Sequence, residues 1–478
     1  MAISHTLGSF ATGERARRPA TTAEGTEGFW SRASTWGLLL PLLYFALDGV
    51  SPFINSGTAM RAVLTSSAGG AILDRLNNVV IFVACMFFVV RRHQAIRRLS
   101  LHVKLIISFP IVALILSPVS QQLTRTISSG TVLLGGVLLV FYMMSRYTLN
   151  EVHELFLVLG AGTIVASIVF ALVLPQYGRD LMGGHASAWK GIFSAKNYLG
   201  NMALFFLTVA VTYRPRTAFL RTLRASQIFF CLVAIAFSRA ATSYMLTTIY
   251  IAYTLMMNMM RGFRKKDYFV AFFVSFVVFA GLIAVIMLQP DFLFNLLGKD
   301  VTLTGRTEIW DAVMTSIAKR PFLGYGYQAF WLGFKGESYR IILTVTWALG
   351  QAQNGFLDTT LEMGGTGLAI VLLIFGFAFR DGFSCLLRSR DHGVLRSVEW
   401  YLIIVILTLI YNLDESFLFE PKHLGSMMFV LACVGLKIER MRLQEATYTH
   451  VRNIMQLVSP SGVLQSTHDA EAREVQSR

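Results

Sequence analysis

The chain has 478 residues, of which 54% are hydrophobic and 14% charged, too few charges to cover a soluble protein of this length. Its formal net charge of +15 does not point to nucleic acid, because the cations sit in short loops beside apolar runs, where they report membrane orientation and contact with anionic lipid. The fold class expected is an all-α integral membrane protein.

Residues 1–35, with Arg15, Arg17 and Arg18 among Ala, Thr and Gly, lack the apolar core and cleavage site of a signal peptide and read as a disordered cytoplasmic tail. A polytopic membrane domain follows over 36–436. Apolar runs near 36–54, 77–90, 103–119, 130–144, 155–175, 197–213, 225–238, 240–259, 268–288, 354–379, 398–413 and 424–436 give about 12 transmembrane helices. Alternate loops are rich in cations: Arg91, Arg92, Arg97 and Arg98; Arg214, Arg216, Arg221 and Arg224; Arg261, Arg264, Lys265 and Lys266; Arg380, Arg388, Arg390 and Arg396. The positive-inside rule puts that side, and both termini, in the cytoplasm. The outward segments are then 175–196, the turn at Ser238 and Arg239, and the long loop 289–353, which carries short helices. Residues 437–478 form a basic amphipathic helix and tail on the inner leaflet. Cys85, Cys231, Cys385 and Cys433 show no CxxC spacing, so neither a disulfide framework nor a metal site is expected.

The outward segments hold the unusual chemistry. In DVTLTGRTEIWDAV, Thr304 is a natural N-cap, and Ile309, Trp310, Val313, Met314 and Ile317 make an apolar face at helical spacing. Arg306 therefore stands at the positive end of a helix roofing the membrane body. Two readings stand side by side: an anion site for a phosphate, or an ion pair with Glu308 or Asp311. The following LGYGYQAFW either packs on a sugar face or fills a turn. The loop 175–196 repeats the theme with Arg179, His185, Trp189, Lys190 and Lys196, and Lys196 with Asn197 opens the next apolar run. Arg239 interrupts two apolar runs and is a functional-site candidate for that reason. Several outward cations above an apolar body suit an amphiphile with an anionic head, such as a lipid-linked phosphate or diphosphate. Neither GxSxG, HExxH nor DxD occurs. Carboxylates available as a base are Asp358, Glu362, Asp414, Glu415 and Glu420, each with a structural hydrogen-bonding alternative.

The segments WKGIFSAKNYLG (189–200), FSRAATSY (237–244), LGKDVTLTGRTEIWDAV (297–313), RPFLGYGYQAFW (320–331), QNGFLDTTLEMGGTGL (353–368) and YNLDESFL (411–418) resemble the signature segments of the O-antigen ligase and Wzy polymerase superfamily. Within it they look most like ExoQ-type exopolysaccharide production proteins. The resemblance implies a GT-C-like polymerase or ligase architecture in the bacterial inner membrane. It implies a metal-independent, cofactor-free glycosyltransferase that inverts the anomeric centre in the periplasm. The donor is a glycan on undecaprenyl diphosphate, and a chain-length regulator is a possible partner. The acceptor is a second lipid-linked repeat unit for a polymerase, or lipid A core for a ligase. A glycolipid flippase is the reading from another class, disfavoured by the lack of internal repeats. The resemblance carries diphosphate contact over to Arg239 and Arg306 and matches Lys196 and Asn197 to the family's lysine–asparagine pair. It sets Gln353 and Asn354 where relatives have a histidine–asparagine pair whose histidine orients or deprotonates the acceptor hydroxyl. From the residues themselves Glu362 joins the catalytic candidates, and Trp189, Arg179 and His185 join the substrate-binding ones. Ala195 and Gln353 stand where relatives carry histidine, so the general base is open: His185, Asp358 or Glu362 takes that role, or base catalysis is modest.

Overall fold

The computed structural model describes residues 33–47, 78–87, 101–180, 187–260, 306–345, 349–389 and 391–458. Most of the N-terminal tail, the basic loops at 91–98 and 261–266, His185, the run at 268–288, Thr304 and the tail beyond 458 lie outside the described residues. The helices are α1 (Ala33–Ala46), α2 (Asn78–Phe87), α3 (Leu101–Ile115), α4 (Leu123–Arg146), α5 (Leu149–Val173), α6 (Pro175–Gly178), α7 (Lys196–Thr212), α8 (Ala218–Ser238), α9 (Ala241–Met260), α10 (Arg306–Lys319), α11 (Ser338–Val345), α12 (Gly355–Arg388), α13 (His392–Tyr411) and α14 (Leu424–Val458). Eleven of the apolar runs expected to span have described residues, and each of those carries a helix. Helices α4, α5, α8, α12 and α13 are long and apolar enough to cross a membrane, and α1, α2 and α3 are shorter apolar helices.

Residue pattern decides where each helix sits. From Tyr198 to Ala210 every residue of α7 is buried, as befits a helix apolar on all sides, and α7 packs against α5, α8, α9, α13 and α14 at the centre of the bundle. Outer helices bury one stripe and expose another: Leu172 and Val173 on α5, Phe219 and Phe229 on α8, and Leu372 and Leu373 on α12 stay uncovered, a belt suited to acyl chains. Side-chain caps set several helix starts. Thr148 and Glu151 form a reciprocal capping box at α5, Asp391 caps α13, and Asn354 caps α12 through the N–H groups of Phe356 and Leu357.

One end of the bundle carries Arg146, Arg214, Arg216, Arg221, Arg388 and Arg396. There the buried Asp381 of α12 receives Arg440 of α14 and, at 2.9 Å, Arg380. This pairing accompanies a continuity not expected from the sequence: α14 runs unbroken from Leu424 to Val458, so the apolar run and the basic segment after Lys437 form one helix. All four cysteines are free and buried. At the other end, α10 and α11 make a roof with its own small core, in which Ile309 and Val313 meet Tyr325, Phe330, Trp331 and Leu361. Of the apolar face expected for α10, Met314 turns outward.

Candidate active site

The roof is joined to the bundle through a break in α12. Gly364 adopts φ 63°, ψ −162°, a conformation essentially restricted to glycine, which frees main-chain groups on both sides. The loop 320–326 takes them up. The carbonyls of Leu361 and Glu362 accept from the N–H groups of Tyr325 (2.9 Å) and Gly326 (2.8 Å), and Gly365 N–H donates to the Pro321 carbonyl (2.7 Å). Gly326, at φ 107°, lies so close to Ser120 that a side chain there would collide. Thus the LGYGY stretch does more than fill a turn: its main chain is spliced into a membrane helix. Its aromatics pin the neighbours: Tyr325 OH donates to Ser316 O at 2.8 Å, and Tyr327 OH to Phe419 O at 2.6 Å.

Beneath the roof, at the end away from the basic loops, lies a cavity of about 390 Å³. Asp358, Glu362, Glu415 and Glu420 reach it together with Arg125, the amides Asn197, Gln328, Gln351 and Gln353, and several aromatic rings. Asp358 is fully committed: it accepts from Trp331 Nε1 (2.7 Å), from Ala352 N–H (2.9 Å) and from the hydroxyl of Ser416 (2.5 Å). Asp358→Ala is expected to destabilise the protein by about 3 kcal/mol, because three buried donors lose their acceptor at once; thermal unfolding of the detergent-solubilised protein measures it. Glu362, by contrast, accepts from the Gln328 N–H, and Glu420 and Arg125 are near enough to act on it electrostatically.

Arg306 begins α10 at the cavity's edge. Its Nε donates to Gln353 Oε1 at 2.9 Å and its Nη1 pairs with Asp414, whose other oxygen accepts from Thr242. So its partner is neither Glu308 nor Asp311; the chain brings in a carboxylate 108 residues away, because α10 turns its polar start toward the α13–α14 connection. The neighbouring Glu415 accepts from Asn197 and, at 3.0 Å, from Gln351. Burial raises the Glu415 pKa, opposed by Arg306, Asn197, Gln351 and Lys196, while burial draws that of Arg306 down and Glu415 opposes it. A guanidinium remains charged in such a setting.

Of the expected site residues, Gln353, Asn197 and Glu362 line one cavity; Arg306 joins it through its bond to Gln353, and Lys196 is near enough to Glu415 to act on it electrostatically. Asn354 stands beside it with its side-chain oxygen used as the α12 cap and its Nδ2 near the Leu413 carbonyl at 3.4 Å. Arg239 is not among the residues that line the cavity: it closes α8 at φ 52°, exposed, three residues before the Thr242 that bonds Asp414, and no hydrogen bond from the described residues reaches its guanidinium. Two expected substrate contacts are elsewhere. Trp189 is buried, its ring stacked on Phe237 at 4.4 Å, and bridges to Arg179, whose Nε donates to Ala171 O at 2.8 Å. They fasten residues 179 and 189 to the ends of α5 and α8, since an aromatic and a long cation at a helix end are satisfied by packing and by free carbonyls. His185 lies outside the described residues. Sequence reasoning did not single out Arg125, Gln328, Gln351, Tyr327, Tyr411 or His423, all of which line the cavity. One signal is structural: among the described residues, Gln328 and Gln353 are two of five non-glycines with positive φ, and both line the cavity.

Residues 225–372 match the family model described as O-antigen ligase. That stretch contains Arg239, Arg306, Gln353 and Glu362, and leaves Asn197 and Glu415 outside it. The chain is also 27% identical over 302 residues to the exopolysaccharide production protein ExoQ of Rhizobium meliloti (strain 1021), a match covering 59% of this chain and 66% of the relative, just under two thirds of its length. The motifs and both comparisons agree: this is a multi-pass helical membrane protein similar to O-antigen ligases over residues 225–372 and to an ExoQ-type protein over a longer stretch.

Proposed function

We propose that the chain is an exopolysaccharide polymerase that joins polyprenyl-diphosphate-linked oligosaccharide repeat units on the periplasmic side of the inner membrane, with both termini cytoplasmic. The observation that carries the reading is Arg306, fixed at the rim of a polar, aromatic-lined cavity by Gln353 and Asp414. In this reading the donor diphosphate replaces Asp414 on the guanidinium and spans toward Arg239. A hydroxyl of the acceptor sugar attacks the anomeric carbon from the opposite face, the carbon–oxygen bond to diphosphate breaks, and the configuration inverts. The hydroxyl proton passes to Glu362, whose carboxylate lacks the saturating donors of Asp358. Arg306 disperses the charge that grows on the leaving oxygen. Lys196, held near Glu415, adds positive potential at the same rim.

Deletion of the gene is expected to leave short lipid-linked repeats and no high-molecular-weight polymer; normal polymer in the deletion strain overturns the reading. The family description favours a second reading, ligation of a finished glycan to lipid A core. Purified protein given lipid-linked donor with and without lipid A core separates them, because only a polymerase lengthens the donor alone. Gln353→Ala is expected to slow transfer about tenfold, as Arg306 loses one of two hydrogen bonds that aim it. Loss in kcat rather than in donor KM marks that positioning role.

A further inference from the structure

His423 reaches the same cavity from the connection between α13 and α14 and has no place in the scheme above. The side chain is 5% exposed, and its orientation is over-determined. The ring stacks on Phe417 with centroids 4.6 Å apart and planes 8° off parallel, and Tyr198 meets it edge-on at 4.5 Å. Its Nδ1 accepts the Gly425 N–H at 3.0 Å. A main-chain N–H can only donate, so Nδ1 is unprotonated and the ring proton resides on Nε2. No hydrogen bond from the described residues reaches Nε2. Burial pushes the imidazole pKa down to about 3, so the ring is neutral at physiological pH. The cavity thus holds a buried, rigid, uncharged donor with no acceptor among the described residues.

An uncharged donor beside aromatic rings suits a sugar. Tyr198, Tyr327 and Trp331 line the cavity beside it; aromatic rings suit the carbon–hydrogen side of a pyranose, while hydroxyls need donors and acceptors at fixed points. A phosphate would call for a cation, and Arg306 and Arg239 supply that elsewhere. We propose that His423 binds the glycan by donating its Nε2–H to a sugar hydroxyl oxygen and so helps select the acceptor residue. It is thereby a specificity residue rather than the missing base, because its acceptor nitrogen is already taken. The inference rests on the reading that the cavity takes a lipid-linked glycan.

The test uses full-length protein in nanodiscs with a polyprenyl-diphosphate-linked oligosaccharide as both donor and acceptor. His423→Phe keeps the stacking and removes the donor; it is expected to raise the acceptor KM about tenfold with kcat changed by less than about threefold. His423→Gln restores an N–H donor and is expected to return KM to within about threefold of the native value. Unchanged KM in His423→Phe, or a glutamine variant as defective as the phenylalanine one, overturns the proposal. Because a core substitution can impair folding, a second measurement uses native protein labelled with 15N-histidine. The protonated Nε2 resonance that disappears in His423→Gln is expected to shift when the oligosaccharide is added, and a resonance that stays in place overturns the proposal. Native protein that transfers no glycan sinks the functional reading as well, whereas normal transfer beside an unaffected His423→Phe sinks this inference alone.

Discussion

Arg306→Ala is expected to lower polymer formation about a thousandfold, the scale of losing one charged group that meets a leaving diphosphate. The guanidinium is 16% exposed and its partner Asp414 15%, so both are shielded enough for the charge to act at short range. The same shielding creates a side effect: with the arginine gone, the Asp414 carboxylate is left half-stranded between Thr242 and empty space, which costs stability as well as activity. The double variant Arg306→Ala with Asp414→Ala separates the two. It is expected to regain much of the thermal stability and none of the transfer. Arg306→Lys keeps the charge but cannot bond Gln353 and a diphosphate in one plane, so it is expected to recover only part of the rate. The lipid-linked unit still reaches the outer face in all three if the protein is an enzyme; its retention in the cytoplasm would instead mark a flippase.

The largest structural effect is expected at Gly364. Substitution by alanine puts a Cβ against the Phe322 carbonyl at a backbone conformation that other residues avoid. The helix has two ways to respond, and both are costly. It can straighten, which withdraws Leu361, Glu362 and Gly365 from the loop's main chain, or it can hold the strain. Either costs about 3 kcal/mol or more, and Gly364→Val more still. Monodispersity in detergent and the thermal midpoint report it. Gly376, twelve residues on in the same helix, is the internal control: a Cβ there meets nothing within 4 Å, and Gly376→Ala is expected to be neutral or stabilising by up to about 1 kcal/mol. Equal damage from both substitutions would show that the break at Gly364 is not what holds the roof.

These two sites differ in how much of them could be read from the sequence. Arg239 stood out because a cation between two apolar runs is conspicuous and Arg306 because it stands at an expected helix start, and helices such as α5 and α13 were evident from run length alone. The break in α12 was not evident, since glycine pairs in membrane helices are ordinary and MGG carries no mark of the loop that enters it. Asp358 and Glu362 lie four residues apart on one helix and were both read as carboxylates available as a base. What separates them is Trp331 and Ser416, brought to Asp358 from two other segments. The Arg306–Asp414 pair is likewise a product of the tertiary fold. Trp189 and Arg179 mislead in the opposite sense: an aromatic and a cation in a glycine-rich loop have the composition of a ligand site, but the nearest ring and helix end satisfy them.

The splice between α12 and the loop at 320–326 joins main chain to main chain, so no side chain at Leu323, Tyr325 or Glu362 is needed to form its hydrogen bonds. A lining position on that scaffold can be exchanged while the register between roof and bundle stays fixed by glycines. That makes the pair of segments a natural place to rewrite which sugar is accepted. A library randomised at Gln328, with Gly324, Gly326 and Gly364 held constant, would sample new pockets while leaving the fold's junction intact.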